Sequence, residues 1–171
     1  MAATFIVETG DGLVNANSYV SLADATQYHD NYEAPAAWTS ASQAAKEAAL
    51  RSATRYLDTK YFLKGAKTKS DQSLQWPRYD VYDRSNYLIN SDSIPQAVKD
   101  CCCILALAVI NGDALMADLT EQGIISSESS QVGPISESKT YIGGKSQQKQ
   151  YSLVDEKMCE FEKNPGQLER C

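Results

Sequence analysis

The segment SIPQAVKDCCCILALAVIN, residues 93–111, constrains the fold more than any other. Only Gln96, Lys99 and Asp100 are strongly polar before Asn111, while Val98, Cys101, Cys102, Cys103, Ile104, Leu105, Leu107, Val109 and Ile110 point in nearly every direction of a helical wheel. A helix that is apolar all round must be enclosed on all sides. Either it lies at the centre of its own chain or a neighbouring subunit supplies part of its cover. Ser93 is the expected N-cap, Pro95 falls in the first turn, Gln96 stands at capping-box spacing and Gly112 marks the C-terminal stop. The apolar run from Cys101 to Ile110 is about half of what spans a bilayer, so no membrane partner is expected.

A chain of 171 residues suits one domain of ordinary size. A second helix is expected over Ala44 to Tyr61, capped by Ser40 or Ser42, with Leu50, Ala53, Leu57 and Tyr61 forming an apolar stripe. Glu47, Arg51, Arg55 and Asp58 occupy its other side. A shorter first helix is expected from Leu22 to Tyr32, with Ser21 and Asp24 at its start and Pro35 after its end. Ahead of it, TFIVETGDGLVNANSYV begins as a strand or extended arm and breaks into turns at Gly10, Gly12, Asn15 and Asn17.

Residues 62–93 read as a long ordered loop: Lys64, Lys67 and Lys69 lead into QWPRYDVYDRSNYLINSDS, where Pro77 disfavours helix. A loop of that length usually has a function or a partner surface. After Leu119 the composition turns to Ser, Gln, Gly and Lys, with short apolar touches at Val132, Ile135 and Tyr141, which suits a loose hairpin or arm. From Leu153, the residues Met158, Phe161 and Leu168 predict a short last helix, interrupted by Pro165 and Gly166. The expected fold is therefore mainly α: a small antiparallel helical bundle with an extended N-terminal arm, a long aromatic loop and a polar C-terminal hairpin or arm. Its parts are residues 1–120, a polar arm over 121–152 and a tail over 153–171.

Catalytic patterns are missing from the sequence. The single histidine, His29, has no cysteines at zinc-ligand spacing, and Cys101 to Cys103 are contiguous, which suits reduced core residues of a cytosolic chain. Asp80, Asp83 and Asp92 do not match a calcium loop. Gly143-Gly144-Lys145-Ser146 lacks the first glycine of a phosphate loop, and no Ser, His and Asp set stands out. No cofactor and no metal are expected. Lys plus Arg total 16 against 22 Asp plus Glu, a net charge of -6, which disfavours non-specific nucleic-acid binding. Above this background stand Trp76, Arg78, Tyr79 and Tyr82 beside Lys67. Such a group can stack bases, act as a protein hot spot, or anchor the loop.

FIVETGDGLVNANSYVSLADATQYH, AAWTSASQAAKEAALRSATRYLD, QSLQWPRYDVYDRSNYLI and SIPQAVKDCCCILAL, in this order, resemble a family of tailed-bacteriophage proteins often labelled DnaT-like single-stranded-DNA-binding proteins. The likeness covers residues 5–112 and continues more weakly through QVGPISESK. The Cys101–Cys103 run and the extension beyond Asp155 depart from the family pattern. The resemblance implies a head-to-tail adaptor: a structural virion protein, made in the host cytoplasm, that forms a ring of about twelve copies between the portal protein and the tail or neck proteins. Double-stranded DNA would pass through the lumen of that ring without sequence-specific binding. The alternative is a DnaT-like single-stranded-DNA-binding module. Interface or nucleic-acid candidates are Trp76, Arg78, Tyr79, Tyr82, Lys67, Val132, Ile135 and Tyr141.

Overall fold

The computed structural model describes residues 4–32, 34–116, 127–132, 135–140 and 149–163. Two compact units emerge: Met1–Leu115 with Tyr151–Cys171, and Met116–Gln150. The described residues of the first unit carry helices α1 (Leu22–Tyr32), α2 (Ala36–Ser40), α3 (Gln43–Lys60), α4 (Gln96–Ile110) and α5 (Ser152–Met158), with a two-residue ladder of β1 (Ala66–Lys67) and β2 (Arg78–Tyr79) between α3 and α4. The second unit contains an antiparallel hairpin, β3 (Ser127–Val132) paired with β4 (Ile135–Thr140) from Ser127 opposite Thr140 to Val132 opposite Ile135. The protein is thus a small, mainly α bundle with a short hairpin, as its sequence pattern predicts.

Helix α4 is the centre of the first unit, and its cysteines show how one helix is covered from several sides. Successive residues of an α-helix point about 100° apart. Cys101 faces α5, its Sγ 3.9 Å from the carbonyl of Val154; Cys102 faces α3, 3.3 Å from the Thr54 hydroxyl and 3.7 Å from the Leu50 carbonyl; Cys103 lines a cleft with Val20 and Tyr28 on the α1 side. All three are buried, and their small side chains let neighbouring backbones approach closely. The expected stripe is buried with them: Leu50, Ala53 and Leu57 in α3, and Tyr61 as its C-cap, one residue past the helix. Cover for this half of α4 therefore comes from its own chain, while Ile104, Leu107, Val109 and Ile110 are only partly buried.

Local signals place the helix ends, with one correction. Ser42 caps α3, accepting from the Ala45 N–H at 3.3 Å, and Ser21 accepts from the Asp24 N–H at 3.1 Å. Ser93 does not cap α4. Its hydroxyl donates backward to the Asn90 carbonyl at 2.9 Å, and Pro95, which lacks an N–H to satisfy, takes the N-cap position. The turn α2 was not legible in the sequence: it buries Trp38 against His29, ring centroids 4.3 Å apart. The last helix is shorter than expected and ends at Met158, so Phe161 lies beyond it, buried edge-on against Trp76. Leu168 and Tyr141 lie outside the described residues.

The N-terminal arm is tied down by a buried carboxylate. Glu8 accepts from the N–H groups of Gly10, Gly12 and Leu13 at 2.8–3.0 Å, holding the ETGDG turn closed. Gly10 has φ +112°, and a Cβ there would lie 1.9 Å from the Asp92 carbonyl oxygen. Only glycine combines that backbone with that proximity.

Candidate functional site

The loop between α3 and α4 is ordered by buried polar side chains that collect its backbone groups. Arg78 has all five guanidinium donors engaged: Nε to the Lys64 carbonyl at 2.7 Å, Nη2 to Gly65 at 2.9 Å and Leu63 at 3.2 Å, and Nη1 to the Gln75 carbonyl at 3.1 Å and its side-chain oxygen at 3.2 Å. A planar fork is the side chain suited to gathering so many carbonyls at once. Buried Gln72 does the same on the other side of Pro77. Its amide donates to the carbonyls of Leu74 and Pro77 at 2.9 and 3.0 Å and accepts from the Lys69 N–H at 2.9 Å.

A second network pins this loop to α3. Tyr19 donates to Asp58 from the arm, Asp58 accepts from the Gln75 N–H at 3.1 Å, and the Tyr19 oxygen accepts from the Trp76 N–H at 3.1 Å. Burial pushes the Asp58 carboxyl up to about 6, against the opposing pull of its hydrogen bonds and of Lys67 and Arg78. The Trp76–Pro77 peptide is cis, and the indole is 1% exposed.

These contacts separate the sequence candidates into two groups. Trp76 and Arg78 are interior parts of the loop, with no indole face for a base and no guanidinium donor for a phosphate. For these two the geometry supports the loop-anchor reading and not the surface one. Lys67 lies in β1 and donates to the Gln72 carbonyl at 3.3 Å. Tyr79 and Tyr82, in contrast, are 51% and 45% exposed. Val132 and Ile135 are register partners at the end of the hairpin.

Tyr79 and Tyr82 line an open cleft of about 930 Å³ with Phe62, which is 78% exposed. Lys64, Gly65, Asp80, Asp83, Asn86 and Lys163 complete most of its wall. The C-terminal segment forms one rim: Lys64 N–H donates to the Phe161 carbonyl at 2.8 Å and Lys163 N–H to the Phe62 carbonyl at 2.6 Å. This pairing holds the Phe62 backbone while leaving its ring outside. Gly65, at φ +64°, is 2.1 Å from the Tyr79 carbonyl by its would-be Cβ, so the cleft floor depends on glycine. Asp83 is occupied locally, accepting from the Ser85 and Tyr87 N–H groups at 2.9 and 2.8 Å. Phe62 and Lys163 were not singled out in the sequence, since their alignment needs a backbone pairing across about a hundred residues.

Other features carry less chemistry. His29 is packed between Tyr28 and Trp38, and burial lowers its pKa. A cleft of about 380 Å³ between α1 and α4 holds Tyr28, Tyr32, Asp24 and Lys99, beside Asp100, which is already paired with Lys157 at 2.9 Å. Among the described residues, no three His, Cys, Asp or Glu side chains converge to hold a metal ion, and no helix is long and apolar enough to cross a membrane.

The profile of a family described as "Putative DnaT-like ssDNA binding protein" matches residues 3–168. No curated protein and no solved structure matches the chain.

Proposed function

Because the chain belongs to this DnaT-like family, we propose that it is a non-catalytic binding protein whose ligand is single-stranded DNA. The family match over nearly the whole chain carries the reading. Exposed aromatic rings beside lysines are compatible with it, since every base has a face on which such rings can stack. The net charge of -6 sets the mode of binding: few phosphates are neutralised, so stacking has to supply most of the affinity, and salt dependence is shallow. Titration of a labelled oligo-dT of about 12 nucleotides at about 0.15 M salt tests this. Saturable binding in the micromolar range is expected, and no binding at a protein concentration of about 100 μM would refute it.

A second reading, the head-to-tail adaptor, is favoured by a different observation. The one Trp and Arg pair in the aromatic loop is committed to the interior, and the acidic chain suits a conduit past which duplex DNA slides. Under this reading the partners are further copies of the chain in a ring, a portal protein and tail or neck proteins, and the location is the virion neck. Copy number and position in an intact particle would test it. Absence of the chain from purified particles would remove it.

A further inference from the structure

We propose that the cleft bounded by Phe62, Tyr79 and Tyr82 is the base-stacking site of this protein, with Lys64 and Lys163 contacting the backbone phosphates of a single strand. The assignment rests on the DNA-binding reading above and adds to it where the strand lies. Three aromatic side chains border one open cleft in which two lysines also stand, Lys163 exposed and Lys64 with one ammonium donor on the Glu160 carbonyl at 3.0 Å and two left over, a combination the other described cleft, with Asp24 and Asp100 beside Lys99, does not offer. The rings are held out by structure beneath them. Phe62 is fixed through its carbonyl by the C-terminal segment, Tyr79 lies in the β1–β2 ladder, and Tyr82 is bridged to Leu88. Rigid presentation of this kind reduces the ordering cost of binding. Asp80 and Asp83 both line the cleft and both oppose a phosphate, Asp83 being held in place by its own turn, so the phosphate contacts lie on the lysine side of the cleft.

This arrangement makes stacking on flat faces the main source of affinity, so recognition is tolerant of sequence. Two lysines give a salt slope of about -1.4. Asp80 has φ +61°, a backbone that asparagine also adopts readily, so Asp80→Asn removes a charge without straining the turn.

The test is the oligo-dT titration on the full chain and on Tyr79→Ala, Tyr82→Ala, Asp80→Asn and, as a control on α1, Tyr32→Ala, with thermal unfolding of each. Tyr79→Ala and Tyr82→Ala should each bind about 5- to 100-fold more weakly with an unchanged melting temperature. Asp80→Asn should bind more tightly, and Tyr32→Ala should bind as the unaltered chain does. If the unaltered chain binds DNA and both tyrosine variants bind equally well, the cleft is the wrong site while the family reading stands. If the unaltered chain does not bind, both fail. If the tyrosine changes alter self-association in sedimentation and leave DNA binding intact, the cleft is a contact between copies and the assignment to DNA is overturned.

Discussion

Replacing Arg78 separates a structural role for the Trp-Pro-Arg segment from a nucleic-acid one. Arg78 is 7% exposed and its five donors meet oxygens of Leu63, Lys64, Gly65 and Gln75. A hydrogen bond from a charged group contributes about 1.5–3 kcal/mol, but five do not add: water reaches some of the freed carbonyls, and the guanidinium regains its hydration. Burial holds the Arg78 pKa below its usual range, a sign of that desolvation cost. Arg78→Ala is therefore expected to cost about 3–5 kcal/mol, as when two or so buried carbonyls are left unsatisfied at about 1–3 kcal/mol each. For a chain of this length that lowers the melting temperature by about 6–20 °C. Arg78→Lys is the informative partner, because it keeps the charge and loses the planar fork. If Arg78 gathers the loop backbone, the lysine variant loses more than half as much stability as the alanine variant. Thermal unfolding by circular dichroism, repeated in urea, reads both. An alanine variant that melts within about 2 °C of the unaltered chain and has lost its DNA affinity would refute this account of Arg78.

Three further outcomes follow from other contacts. Both tryptophans are buried, so saturating oligo-dT should leave tryptophan emission nearly unchanged; strong quenching would place an indole against the bases. Burial pushes the thiols of Cys101 and Cys102 up to about 12 and that of Cys103 up as well, while Cys159 is exposed. Alkylation of the folded chain at neutral pH, read by peptide mass, should modify Cys159 and spare the three, which react only after unfolding. Asp58 has a folded pKa of about 6 against an ordinary value of 3.8, so the folded state holds its proton more tightly than the unfolded state. Its contribution is then fully present below the ordinary value and is lost as pH rises toward 6. A carboxyl-carbon NMR titration should show a midpoint near 6, and a midpoint at or below 4 would remove the burial argument.

Helices α1, α3 and α4 were legible because their information is local. Caps at Ser21 and Ser42, the period of Leu50, Ala53, Leu57 and Tyr61, and the nearly polar-free face of residues 101–110 lie within a few residues of what they specify. Acidity and the expectation of a bundle with a hairpin are likewise properties of composition and pattern. The aromatic loop is different, since it has no sustained period to say which side chains turn inward. Trp76 and Tyr79 stand three residues apart with similar chemistry, yet one is enclosed by Phe161 and the other borders the open cleft. What decides between them is remote: Tyr19 and Asp58 hold the backbone at residues 75 and 76, and Phe161 and Lys163 pair with residues 62–64. The same limit hid Glu8 and Gln72, which are polar in sequence and buried in fact because backbone N–H and carbonyl groups converge on them only once the loops have folded. Sequence by itself determined where the three long helices form and which of their faces must be covered. The outward placement of Phe62, Tyr79 and Tyr82 was decided only in the tertiary structure, by hydrogen-bond partners that lie far apart along the chain.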